Sequence, residues 1–154
     1  MTSPTTPSAT ALTAPHVLEY TYTRSVGPVV GRFFGGLEER KLFGIRTKSR
    51  RVLVPPVEYD PDTGEELSDF VEVGQSGVVT TWSWVLEPRP QQPLDRPFAW
   101  ALIRLDGADT AILHAVDAGD ESRMATGMRV RVRWRDECVG ELQDIVCFEP
   151  EASP

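Results

Sequence analysis

Apolar positions change period along the chain. Between residues 26 and 37, Val26, Val29, Val30, Phe33, Phe34 and Leu37 fall at i, i+3, i+4, i+7, i+8 and i+11, which puts them on one face of a helix. Ser25 can cap its start, and Pro28 sits in the first turn, where a missing N–H costs little. Ahead of it, 17–23 reads as a short extended arm with Tyr20 and Tyr22 on one side. From residue 71 the pattern turns to strands. The runs 78–85, 98–105 and 110–116 are rich in β-branched and aromatic residues, and Asp106-Gly107 between the last two is a hairpin signal. The run at 128–134 alternates strictly, which turns Met128, Val130, Val132 and Trp134 inward and Arg129, Arg131 and Arg133 outward. A last strand over 142–148 can close the sheet. Five strands in this order, with an irregular or helical stretch at 117–126 between the third and fourth, suit an OB-fold barrel. The expected class is mainly β: a five-stranded OB-fold barrel preceded by a helix.

Composition bounds this picture. With 154 residues, 40% hydrophobic and 25% charged, the chain can bury one adequate core and has no room for two. No apolar run approaches the roughly 18 residues of a membrane span, and no hydrophobic segment follows a charged start. A single soluble, cytoplasmic domain is expected. The two cysteines, Cys138 and Cys147, are nine apart. A reducing cytosol keeps both as thiols, and neighbouring strands would bury them as small hydrophobes. The first fifteen residues, rich in Thr, Ser, Pro and Ala, cannot offset the cost of ordering and are expected to be disordered, as are 150–154.

Charge and chemistry narrow the functions. A formal charge of -7 and a pI near 4.8 oppose binding to a polyanion, whose affinity comes mainly from phosphate neutralisation. Arg129, Arg131, Arg133 and Arg135 form a local basic ladder, and Trp82, Trp84 and Trp100 could stack on bases. A solvated strand face is the first reading of that ladder. Contacts of Arg129, Arg131 and Arg133 with coenzyme A phosphates or with an acidic partner come second, and single-stranded nucleic acid third. No catalytic constellation stands out: His16 lies in the disordered approach, and His114 sits among apolar neighbours, where a satisfied structural histidine is expected. Asp60, Asp62, Glu65 and Glu66 gather around turn chemistry and read as solvated acids. The stretch 86–97 holds four prolines in twelve residues and is long for a connection between strands. Pro88, Pro90 and Pro93 stiffen it, which lowers the entropy lost on docking; a tolerated surface insertion is the other reading. The helical stripe has two readings as well, packing on the chain's own core or a partner-binding face.

Three stretches carry a family resemblance. Val54-Pro55-Pro56 followed by Asp60-Pro61-Asp62-Thr63-Gly64 is similar to a Pro-Pro pair followed by Cys-Pro-x-Cys-Gly. Next, Phe70-Val-Glu-Val73 leads through Gly74 to Ser76-Gly77-Val78-Val79. Last, Pro97-Phe98-Ala99-Trp100 through Asp106-Gly107 precedes Gly127-Met128-Arg129-Val130. From about Phe33 to about Trp134 the chain resembles the DUF35 family, which implies an N-terminal helix and a rubredoxin-like zinc ribbon joined to an OB-fold barrel. The implied division is 1–16 tail, 17–67 arm, helix and ribbon, 68–149 barrel and 150–154 tail. By the same resemblance the four ligand positions are Arg46, Ser49, Asp60 and Thr63. Zinc needs four Cys or His donors in such a site, so a degenerate, metal-free ribbon is expected, with no bound cofactor. Packing by 52–56 and by Tyr59 would then hold it. The resemblance further implies a non-catalytic accessory subunit of a thiolase-like, aldolase or MaoC-type hydratase complex acting on acyl-CoA in lipid, sterol or polyketide metabolism. Alternatives are a stand-alone acyl-CoA or small-ligand module and, third, a single-stranded nucleic-acid binder.

Overall fold

The computed structural model describes residues 14–20 and 25–151. The expected disorder of the first thirteen residues, the placement of Tyr22, and the end of the tail at 152–154 lie outside the described residues. A helix, α1 (Gly27–Glu38), opens the fold. Three strands follow, β1 (Leu42–Arg46), β2 (Val52–Leu53) and β3 (Asp69–Val73), and form a sheet in the order β2-β1-β3. The strands β4 (Ser76–Val85), β5 (Phe98–Leu105), β6 (Ile112–Val116), β7 (Arg129–Trp134) and β8 (Ile145–Pro150) then close a barrel in the order β4-β5-β6-β8-β7. This is the expected mainly β architecture with a five-stranded OB-fold barrel. Among the described residues no helix is long and apolar enough to cross a membrane.

Alternation builds the barrel core. Ala99, Ala101, Ile103 and Leu105 on β5 point inward, and meet Val79, Val116, Val130, Ile145 and Phe148 from the other strands. The same cluster continues into Phe33, Leu37, Leu42, Val52, Val54 and Val73, so helix, ribbon sheet and barrel share one core. Each fully buried Leu, Ile or Phe stabilises by about 1.5–3 kcal/mol. Closure depends on β4, which pairs with β5 along its length and with β7 at Ser76, Gly77 and Val78. Gly77 stands between both neighbours, and a Cβ there would lie 2.5 Å from the Arg104 carbonyl oxygen. The β6–β8 pair is different: it is parallel and in register at one position, Val116 with Phe148.

Several boundaries differ from the sequence reading, each for a local reason. The strand expected from residue 110 begins at Ile112 because Thr110, with Asp109 before it, serves the ribbon instead. Thr110 Oγ1 accepts from the Val54 amide at 2.7 Å and donates to its carbonyl at 3.0 Å, while Asp109 Oδ2 accepts from the Val52 amide at 2.7 Å. These groups satisfy the open edge of β2. Residues 142–144 form a 3-10 turn, and β8 runs on to Pro150, followed by Glu151, which pairs with Arg129. β3, expected as part of the barrel, pairs with β1 over Leu42–Arg46 and completes the ribbon sheet. At the helix start, Val26 occupies the cap position, and Ser25 Oγ only accepts from the Gly27 amide at a long 3.4 Å.

Candidate functional site

The helical stripe divides into two parts. Val29, Phe33 and Leu37 are buried, Val29 against Ile45, Leu53 and Leu67, the other two in the core shared with the barrel. For these three the reading as packing on the chain's own core holds, and they are not available as a partner face. Val30 and Phe34 are half-buried, with Phe34 packed on the core, and Val26 is 47% exposed. The helix end is latched to the barrel. The Arg40 guanidinium donates to the Arg135 and Asp136 carbonyls at 3.1 and 2.8 Å, Gln75 Nε2 donates to the Arg40 carbonyl at 2.7 Å, and Trp134 Nε1 donates to Gln75 Oε1 at 2.8 Å.

The proline-rich loop is fastened at its far end. Leu94 is buried with Phe98, and Arg96 is ion-paired with Asp117. The tip is open, with Pro90 and Pro93 exposed, Pro88 half-buried, and Leu86 70% exposed.

The arginine ladder is not free. Arg129 is held bidentately by Asp106 at 2.6 Å through both terminal nitrogens, and its Nε donates to Glu151 at 3.0 Å. Arg131 pairs with Glu149 at 2.8 Å, and Arg133 with Asp117 at 3.1 Å. The Arg129 guanidinium holds the Asp106 carboxyl below its usual range against a smaller upward push from burial. At Asp117 burial pushes upward, and the Arg96 and Arg133 partners overcome it. The ladder is a partly solvated strand face whose charge is paired with the chain's own carboxylates, which accords with the first of its readings, and contact of Arg129, Arg131 and Arg133 with coenzyme A phosphates would have to compete with these pairs. Glu149 and Glu151 carry the signal that sequence reading passed over: a period-two acidic pattern on the strand that flanks the arginines.

The two knuckles of the ribbon face each other through charge. In the first, the Thr47 amide bonds the Arg51 carbonyl at 2.8 Å; in the second, the Asp60 amide bonds the Glu65 carbonyl at 2.8 Å. Arg51 reaches Asp62 at 3.0 Å and Lys48 pairs with Glu65, so two ion pairs join the turns. Of the four ligand positions, Arg46 pairs with Asp69 at 3.1 Å, Ser49 bonds the Thr47 hydroxyl at 2.9 Å, and Thr63 lies 3.4 Å from Glu65. Asp60 is not a solvated acid as expected. It is buried, and its Oδ1 accepts from the Asp62 amide at 2.9 Å, which shapes the turn. Tyr59 is 59% exposed and so does not hold the ribbon; Val52, Leu53, Val54 and Pro56 are the buried ones.

Residues 70–135 match the family model described as the ChsH2 C-terminal OB-fold domain. Over this stretch the chain is similar to DUF35 OB-fold proteins. Two solved structures share the fold. One is titled "Ltp2-ChsH2(DUF35) aldolase", with a TM-score of 0.62 and 19% identity over 83% of this chain and 98% of that one. The other is a protein of unknown function from the DUF35 family of Sulfolobus solfataricus, with a TM-score of 0.57 and 22% identity over 70% of this chain and 77% of that one. No curated protein matches.

Among the described residues the cysteines and histidines do not assemble a reactive pair. Cys147 is buried on β8, and burial pushes its thiol up to about 11, which keeps it protonated at neutral pH. Cys138 lies in the β7–β8 connection rather than on a strand, 3.6 Å from the Arg135 carbonyl. His16 is exposed. His114 is buried, but it is not the satisfied histidine expected: its Nδ1 has no hydrogen-bond partner, and burial lowers its pKa to about 4. Asp144, which the sequence reading missed, is wholly buried. Its Oδ2 accepts from the Gly140, Glu141 and Val139 amides at 2.7, 3.0 and 3.1 Å, and so folds the β7–β8 connection.

Proposed function

We propose that this chain is a non-catalytic accessory subunit that assembles with a thiolase-like, aldolase or hydratase-type enzyme. The observation that carries the reading is the fold match over 98% of a chain of the Ltp2-ChsH2(DUF35) aldolase. An acyl-CoA substrate, and a place in lipid, sterol or polyketide metabolism, belong to the same proposal and rest on the DUF35 resemblance. The side-chain chemistry is compatible with a scaffold. The arginine ladder is closed by its own carboxylates, Cys147 is protonated, and His114 is neutral at pH 7. What the surface offers a partner is apolar and stiff: the loop tip with Leu86, Pro90 and Pro93, and Val26 at the helix start. Phe33 is unsuited to test docking, because a carboxylate there would be buried in the chain's own core.

The discriminating experiment uses surface variants. Leu86→Asp and Pro90→Asp keep the circular dichroism spectrum and melting temperature and weaken capture of a co-expressed thiolase-like, aldolase or hydratase partner at least tenfold. Capture at wild-type yield by both folded variants moves the docking face elsewhere. Turnover of an acyl-CoA by the chain alone contradicts the accessory role.

A further inference from the structure

The barrel closes at β6 and β8 through a short seam. β6 and β8 are parallel and meet in register at Val116 and Phe148. A cavity of about 270 Å³ lies beside the seam, walled by Trp100, Leu113, His114, Leu142, Ile145 and Val146, with Gln91 and Pro93 of the proline-rich loop at its side. Leu113 and Leu142 are 58% and 43% exposed. Ligand sites are concave and mostly apolar, with a few polar groups, and this volume lies near their lower limit of about 300 Å³.

We propose that this cavity is a binding site for a small uncharged molecule, an aromatic ring or short branched hydrocarbon end carrying a hydroxyl or carbonyl group. Three observations set the class. The wall is built of one indole, the His114 imidazole and several aliphatic side chains, which favours a flat apolar body. Arg135, the one cationic side chain at the cavity, is already paired with Glu141 at 2.7 Å and lies 3.6 Å from Asp144, so it has little charge to offer an anion. Gln91 and Gln143 supply amide donors and acceptors for a single polar group. The volume suits a body of about two fused rings. The site does not depend on the partner reading, since every wall residue comes from this chain.

The test uses the full chain and two probes of the same shape, 2-naphthol and 2-naphthoate, followed by ¹H–¹⁵N NMR. 2-Naphthol shifts the Trp100 indole N–H and the amides of Leu113, His114 and residues 142–146 saturably, and 2-naphthoate binds at least tenfold more weakly. Leu113→Asp and Leu142→Asp, both at exposed positions, reduce 2-naphthol affinity at least tenfold while the remaining amide positions stay as in the wild type. Shifts that do not saturate, shifts centred elsewhere, equal binding of the two probes, or unchanged affinity in both variants overturn the proposal. A failure here leaves partner capture untouched, and loss of partner capture leaves this titration untouched.

Discussion

His114 is the residue whose environment departs furthest from its sequence reading. An apolar neighbourhood does foretell burial, but it does not say whether a ring nitrogen finds a partner, because that depends on which strand lies across the barrel. Here the facing residue is Phe148, edge-on at 5.7 Å, which offers no acceptor. With a pKa lowered from 6.5 to about 4, the unfolded chain binds a proton before the folded one as pH falls. The stability due to neutral His114 is therefore complete above about pH 6.5 and is lost on acidification towards pH 4, by up to roughly 3 kcal/mol at 1.36 kcal/mol per unit. Chemical denaturation between pH 7 and 4 shows this slope, and His114→Leu flattens it. An unchanged slope in that variant assigns the titration to other groups. Arg129 gives the opposite case, an exposed group whose effect is read on its partner. Arg129→Gln raises the Asp106 carboxyl towards its ordinary value, observable by carbon-detected NMR titration; an unmoved Asp106 shows that the bidentate pair does not persist in solution.

At the scale of elements, the ribbon shows how such a unit can stand without cysteine ligands. Its two turns are joined by Lys48–Glu65 and Arg51–Asp62, all four side chains being largely solvated. Exposed ion pairs contribute about 0.2–1 kcal/mol each, so they align the turns rather than hold them. The hold comes from Ile45, Leu53, Leu67 and Val29. Leu67→Ala is expected to cost about 2–4 kcal/mol in urea unfolding, and Arg51→Ala under about 1 kcal/mol; the reverse order would make the ion pairs the principal support. The purified protein is expected to carry no stoichiometric zinc and to melt at the same temperature with and without a chelator, and elemental analysis finding about one zinc per chain contradicts this. Most elements were legible in the sequence. The helix follows from a stripe of period 3.6, β7 from strict alternation, and the β5–β6 turn from Asp106-Gly107, whose glycine takes φ 89°. What was not legible depends on partners distant in sequence: Thr110 leaves the expected 110–116 run to bond Val54, Asp109 bonds Val52 of β2, and β3 joins the ribbon, because β1 lies beside it.

At the scale of the molecule, a net charge of -7 goes with an arginine ladder, Arg129, Arg131, Arg133 and Arg135, that is paired with the chain's own carboxylates. Binding to single-stranded DNA or RNA at physiological salt is expected to be undetectable, whereas non-specific binders reach Kd values of about 10⁻⁴ to 10⁻⁶ M. A micromolar, steeply salt-dependent affinity would reverse that reading. The candidate site was only partly legible: the sequence marks the apolar stripe and the proline-rich loop, but not that Val29, Phe33 and Leu37 are consumed inside, nor that the β6–β8 seam leaves a cavity. Both facts depend on how layers stack, and local spacing does not encode that. The central claim is that this chain acts as the partner of an enzyme. Its most direct test is to tag the chain, capture it from its native host and identify by mass spectrometry what co-purifies in stoichiometric amount. The account predicts a thiolase-like, aldolase or hydratase-type protein at a fixed ratio to the chain. A chain recovered alone under the same conditions, or one that turns over an acyl-CoA without a partner, contradicts it.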